Sequence, residues 1–226
     1  MDVATATRVE RLAALADPVR LEIVDELARS DRAPIELRHR FGVESNLLAH
    51  HLDVLEHAGL IVRSRSSGDG RRRYVHLLRP ALEGLLPEAR LTGPDADRAR
   101  DVLFVCTHNS ARSQLAAALW RSMVGGSAES AGTEPAAQVH PGAQAAAARA
   151  GLDLGDAVPR ALDACVIPEV VITVCDRAHE GLGDAPDWLH WSIPDPVPSG
   201  RAAAFDAVVV ELKERIAAVG GVGSDT

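Results

Sequence analysis

Leu12, Leu15, Ala16, Val19, Ile23, Val24 and Leu27 recur at the three- and four-residue spacing of a buried helical face. Asp17-Pro18 falls inside that run and supplies a capping acid and a helix-starting proline, so the pattern predicts two helices or one interrupted helix. Pro34 opens a shorter segment, Ile35 to Phe41, which Gly42 stops. Leu47, Leu48, Leu52, Val54 and Leu55 then mark a helix from Glu44 to His57 that ends at Ala58-Gly59-Leu60. A short helix, a tight turn and a second helix predict a helix-turn-helix. After Leu60 the period changes. Ile61 to Arg65 reads as a strand, Ser66 to Gly70 as a turn, and Arg71 to Leu77 as the returning strand.

An arginine-rich hairpin directly after a helix-turn-helix predicts a winged helix, one helix in the major groove and the wing on phosphates or in the minor groove. Residues 91–100, LTGPDADRAR, hold Gly93-Pro94 and alternating charges without apolar period and read as a linker. Beyond it strands and helices alternate. Strands are predicted at Val102 to Val105, Ala128 to Ala131, Val170 to Val174 and Leu189 to Ile193. Helices are predicted at Ser113 to Val124, Ala143 to Ala150 and Ala203 to Val219. The fold class expected is thus an α+β winged helix (1–90) followed by an α/β domain (101–226) with a central parallel sheet and helices on both faces. Ligands of such sheets bind at the C-terminal ends of the strands, where Cys106 and Cys175 both fall.

Charge divides the chain in the same place. The net charge is −8; residues 1–92 hold 14 basic and 14 acidic residues, while 93–226 hold 10 and 18 and account for all of it. Nucleic acid is therefore expected at the first half, where Arg63, Arg65, Arg71, Arg72 and Arg73 face only Asp69 within the hairpin. Such a run also discourages edge pairing of strands, but its position after the helix pair favours DNA contact. The three cysteines, Cys106, Cys165 and Cys175, are an odd count confined to the second half, which argues for reduced thiols rather than a disulfide scaffold. No apolar run is long enough to span a membrane and the first residues lack a signal core, so a cytoplasmic protein is expected.

The chemistry concentrates in Val102 to Ser113, VLFVCTHNSARS. A strand–loop–helix turn points backbone N–H groups and a positive helix end at one spot, which attracts an anion and favours a reactive thiol. Thr107, His108, Asn109, Ser110, Ala111, Arg112 and Ser113 would line the anion site, and the planar fork of Arg112 can grip two oxygens at once. A lone cysteine is more often an ordinary buried residue; the complete constellation favours chemistry. Attack on a tetrahedral oxyanion needs an acid for the departing oxygen, and Asp195, between Pro194 and Pro196 after the last strand, is the candidate.

Two resemblances sharpen this. LAALADPVRLEIVDEL, NLLAHHLDVLEHAGLIVRSR and SGDGRRRYVHL resemble the arsenic-repressor (ArsR) family of dimeric winged-helix repressors across about residues 8–90. This implies a homodimer on operator DNA, with Ser45, Asn46, Leu47, Ala49, His50 and His51 on or near the recognition helix. Founding members bind arsenite through a cysteine pair on the helix before the turn, and Ile35 to Phe41 has none. The resemblance implies a last helix at Pro80 to Arg90, which offers Glu83 and Glu88 but no histidine for the zinc-type site of other members. His50 and His51 diverge by about 100° on a helix, which suits one for the core and one for the groove.

From about 100 to 220 the chain resembles the low-molecular-weight tyrosine phosphatase fold, more closely its arsenate-reductase branch, through CTHNSARSQLAAAL, SAGTEP, VITVCD and HWSIPDP. The resemblance implies Cys106 as nucleophile, Asn109 shaping the loop, Arg112 on the oxyanion, Ser113 on the thiolate, Asp195 as general acid, and Cys175 as the thiol that attacks the cysteine–arsenic adduct. Thioredoxin-coupled reductases carry a further cysteine where this chain has Leu182, and tyrosine phosphatases carry aromatic residues where it has Val197 and Pro198. The loop with His108 looks more like reductases that use a small thiol such as mycothiol.

Three functions follow as expectations. The first is an arsenic-responsive repressor whose second domain senses arsenite or an oxyanion (arsenate or phosphate) at Cys106 and Cys175, with Cys165, in a loop-like stretch ending at Pro168, either a further arsenite ligand or a bystander. The second is a repressor that is also a thiol-dependent arsenate reductase, and the third a repressor with an inert phosphatase-like interaction domain. No tightly bound cofactor is expected.

Overall fold

The computed structural model describes residues 3–68, 70–82, 85, 101–183 and 188–219. It forms two compact units with separate apolar cores. In the first, α1 (Val3–Leu15) is followed by α2 (Pro18–Arg29), so the interrupted pattern is two helices. The break is made by Asp17, which caps α2 by accepting from Arg20 N at 3.0 Å. Helix α3 (Pro34–Phe41) starts with Glu36 turned back onto Ala33 N at 2.6 Å and stops at Gly42, whose φ of 61° suits a residue without a side chain. The buried carboxylate of Glu26 pairs with Arg32 at 2.7 Å and Arg40 at 2.9 Å, joining α2 to α3. Helix α4 (Ser45–His57) lays Leu48, Leu52 and Leu55 against Ile23, Leu27 and Leu37 in the core.

Strands β1 (Ile61–Arg65) and β2 (Arg73–Leu77) pair antiparallel, with Ile61 opposite Leu77 and Arg65 opposite Arg73. Cross-strand, Ser64 and His76 meet at 2.6 Å, and His76 reaches the buried Asp31 at 3.1 Å. The wing base is thereby tied to the chain between α2 and α3. Of the last predicted helix, a 3-10 turn at Arg79–Ala81 lies among the described residues. Positions 83, 84 and 86–90, with Glu83 and Glu88, and the 91–100 linker lie outside them.

The second unit is built on a four-stranded, all-parallel sheet in the order β4-β3-β5-β6. Its strands are β3 (Asp101–Cys106), β4 (Ser127–Gly132), β5 (Val170–Thr173) and β6 (Leu189–His190). β6 is shorter than its apolar run suggests because Pro194 follows closely, although Trp191 N still reaches Thr173 O at 2.8 Å. The helices are α5 (Arg112–Met123), α6 (Pro141–Arg149), α7 (Asp176–Gly181) and α8 (Ala202–Val219). The central β3 is buried from Val102 onward, as a parallel strand covered on both faces should be. Phe104 packs between the rings of Trp120 and Trp191 at centroid distances of 5.9 and 5.8 Å. Helix α5 is buried from Arg112 through Trp120, lying against β3, β4 and α8.

Candidate functional site

Cys106 ends β3, Arg112 begins α5, and the turn between them wraps the sulfur. The outer side of this turn is held by the segment after β4. Thr133, Glu134, Ala136 and His140 donate their backbone N–H groups to the carbonyls of Cys106, Thr107, His108 and Ser110 at 2.8 to 3.1 Å. With its carbonyls turned outward, the loop has its amides for the interior, and Asn109 N–H donates to Cys106 Sγ at 3.2 Å. Gly132 makes the approach possible: a Cβ there would sit 2.7 Å from Thr107 O.

Asn109 is fully buried with φ of 47°. Its Oδ1 accepts from Arg160 N at 2.8 Å and Gln114 Nε2 at 3.2 Å, which fixes the amide so that Nδ2 donates to Ser113 Oγ at 2.8 Å. Ser113 accepts there, so its own proton is available to Cys106 Sγ at 3.0 Å. Thr107, Ala111 and Ser113 are buried, Ser110 is half-buried, and His108 is exposed with Nδ1 donating to Glu134 O at 3.0 Å.

Arg112, 7% exposed, reaches across to the loop after β6. It donates to Ile193 O at 3.1 Å and pairs with Asp195 at 3.1 Å, while Asp195 also accepts from Val197 N at 3.1 Å. Cys175 precedes α7, with Ala178 N donating to its sulfur at 3.4 Å and Thr107 Oγ1 at 3.3 Å from the same atom. Burial pushes the Cys175 thiol up; Arg112 opposes this and the neighbouring Cys106 adds to it. Cys106, Arg112, Cys175 and Asp195 are therefore brought together at one strand edge.

Cys165 is not among them. Its Sγ donates to Ala161 O at 3.4 Å beside a cleft of about 360 Å³ lined also by Asp101, Val102 and Ser127. Those residues start β3 and β4, so Cys165 lies at the opposite end of the strands from Cys106. Among the described residues no group of three His, Cys, Asp or Glu side chains is arranged to hold a metal ion.

On the first unit, Ser45, Asn46, Leu47, Ala49 and His50 are exposed on α4. His51 turns inward instead: it is 5% exposed, and its Nδ1 lies 3.7 Å from Asp17 Oδ1. On the wing, Arg65, Arg71, Arg72 and Arg73 are exposed, whereas Arg63 folds back onto α4. It pairs with Asp53 and with Glu56, the latter at 2.8 Å. His51 and Arg63 thus belong to the packing of the helix-turn-helix. Among the described residues no helix is long and apolar enough to cross a membrane.

The sequence pattern of the low molecular weight phosphotyrosine protein phosphatases matches residues 101–219, more than half of the 226-residue chain. The chain belongs to the low molecular weight phosphotyrosine protein phosphatase family. In this member a helix-turn-helix domain matches residues 15–64, ahead of the phosphatase-like domain. Its curated relatives include an arsenate reductase of Brevibacillus brevis, 31% identical over 104 residues that make up 43% of this chain and 77% of the relative. Another, from Bacillus cereus, is 30% identical over 132 residues, 55% of this chain and 96% of that one. Among solved structures, the arsenate reductase of Archaeoglobus fulgidus is 31% identical, covers 53% of this chain and 98% of its own, and superposes with a TM-score of 0.46.

For this family member the residues that sequence reasoning left out are the loop's supports: Gly132, His140, Gln114 and Arg160. Gly132 and His140 act through backbone contacts from another strand's end, which no local pattern displays. SAGTEP, which contains Gly132, was the nearest signal.

Proposed function

We propose that this chain is an arsenic-responsive transcriptional repressor. Its first unit binds operator DNA as a homodimer in the cytoplasm, and its phosphatase-like unit receives arsenite or an oxyanion at Cys106 and Cys175. The observation that carries this reading is the nearness of the two thiols: Thr107, next in sequence to Cys106, lies 3.3 Å from the sulfur of Cys175, and Cys106 is near enough to push the Cys175 thiol up. A trivalent arsenic ligand is soft and thiophilic, so two sulfurs at one protected edge suit it. The segment Pro34 to Phe41 carries no cysteine, which leaves the second unit to do the sensing.

The test is DNA binding of the full-length protein to the region upstream of its own reading frame, with and without arsenite. Arsenite is expected to weaken binding by about 5- to 150-fold in wild type, the usual range of coupling between sites. Cys106→Ser and Cys175→Ser are expected to bind DNA normally and ignore arsenite. An unchanged affinity in all three proteins overturns the proposal.

A second reading, a repressor that also turns over arsenate with a small thiol, is supported by Arg112 and Asp195. Asp195 lies 3.1 Å from the arginine that would hold the oxyanion, so an oxyanion that displaced it from the ion pair would leave its carboxyl group, once protonated, beside the leaving oxygen. Arsenate-dependent oxidation of mycothiol or thioredoxin tests it, and no turnover with either removes it.

A further inference from the structure

A buried polar cluster lies beside Cys175 and takes no part in the site described above. Asp176, next to Cys175 in sequence, is 2% exposed and faces His190 Nε2 at 3.2 Å. Ser192 also hydrogen-bonds this carboxylate. His190 Nδ1 lies 2.9 Å from Thr173 Oγ1, which in turn lies 3.2 Å from His179 Nδ1 and donates to Leu189 O at 3.2 Å. The rings of His179 and His190 stack with centroids 4.1 Å apart. The carboxylate of Asp176 is held down at about 2: burial alone would raise it, and the hydrogen bonds from His190 and Ser192 outweigh that.

The cluster joins three elements that the two-thiol site depends on. Helix α7 has six residues, far fewer than a helix needs to persist unaided. Its first residue, Asp176, and its fourth, His179, are pinned to β5 and β6 through this cluster. Cys175 caps that same helix, so the direction of its sulfur depends on those pins. His190 and Ser192 flank Trp191 on the chain that runs to Ile193 and Asp195, the two residues Arg112 holds. One carboxylate thus ties the Cys175 turn and the Asp195 loop to each other behind the anion site.

We propose that Asp176 is a positioning residue: through His190 and Ser192 it sets Cys175 in register with Arg112 and Asp195. The inference deepens the two-thiol site of the proposed function and rests on it. Removing the anchor frees the turn that carries Cys175 and leaves Cys106, held by Asn109 and Ser113, in place.

The test is thiol-resolved alkylation of the full-length protein by iodoacetamide, followed by mass spectrometry across a pH series. In Asp176→Asn the rate at Cys175 is expected to rise about tenfold through easier local opening, with Cys106 unchanged. The pH profile of Cys175 is also expected to move to lower pH, because a neighbouring negative charge is gone. Ser192→Ala, which keeps the carboxylate, is expected to give a smaller rise at the same thiol and no shift of profile. Equal acceleration of both thiols, or no change at Cys175 in either variant, overturns the proposal. Because iodoacetamide needs no arsenic, a wild-type protein whose DNA binding ignores arsenite would remove the sensing function and leave this result standing.

Discussion

Asn109 is the only non-glycine among the described residues with a positive φ, and it is buried at the centre of the loop between Cys106 and Arg112. The left-handed region costs an ordinary side chain about 1 to 2 kcal/mol, so its amide must hold it there through Ser113, Gln114 and Arg160. Two substitutions separate the effects. Asn109→Gly keeps the backbone and removes the three side-chain hydrogen bonds; Asn109→Ala disturbs both. Urea midpoints are expected to place Ala about 1 kcal/mol below Gly, with both below wild type. Asp176 supplies a pH dependence at the same scale. Its folded value of about 2 lies below the ordinary 3.8, so its contribution to stability is full above 3.8 and is lost as pH falls through about 2. The gap in urea midpoint between wild type and Asp176→Asn should close over that interval.

At the scale of elements, the arginines of the wing divide between an exposed set and one that packs on α4. Arg63 is engaged by Asp53 and Glu56, while Arg65 and Arg73 stand exposed at the paired ends of β1 and β2. Arg65→Ala and Arg73→Ala are each expected to lower the slope of log affinity against log salt by about 1, as when one DNA phosphate is no longer neutralised by the protein. Arg63→Ala should leave the slope unchanged and lower the thermal midpoint. These elements also show what a sequence carries. The helix pair, the wing and the strand–loop–helix around Cys106 were legible because each is written in consecutive residues with a clear period. The partner of Arg63 was not, since Asp53 and Glu56 sit on another element and a run of arginines displays only its charge. The 100° between His50 and His51 said that one faces inward, but choosing His51 required Asp17 to be in place. Which of its two roles Cys165 takes is not written in the sequence, because its distance from Cys175 along the chain says nothing of which end of the sheet it reaches.

For the whole molecule, the two cores share no residue. Leu103, fully buried in β3, packs only in the second core; Leu55, equally buried, packs only in the first. Leu103→Ala and Leu55→Ala should each cost about 2 to 5 kcal/mol. Calorimetry is expected to resolve two transitions, each variant lowering a different one. On the proposed reading, separate cores would let the phosphatase-like unit change without rebuilding the helix-turn-helix unit.

The ion pair between Arg112 and Asp195 has a further consequence on the proposed reading. The guanidinium is not waiting empty; it already holds an anion that belongs to the chain. An incoming oxyanion must exchange with that carboxylate, so the site carries its own reference competitor. Singly charged, weakly coordinating ions such as chloride offer less than the resident group and are turned away, whereas a doubly charged tetrahedral ion offers more oxygens and more charge. Selectivity is then set by a comparison made inside the protein, and Asp195→Asn, by weakening the standard of comparison, should admit phosphate and chloride alike in a competition assay.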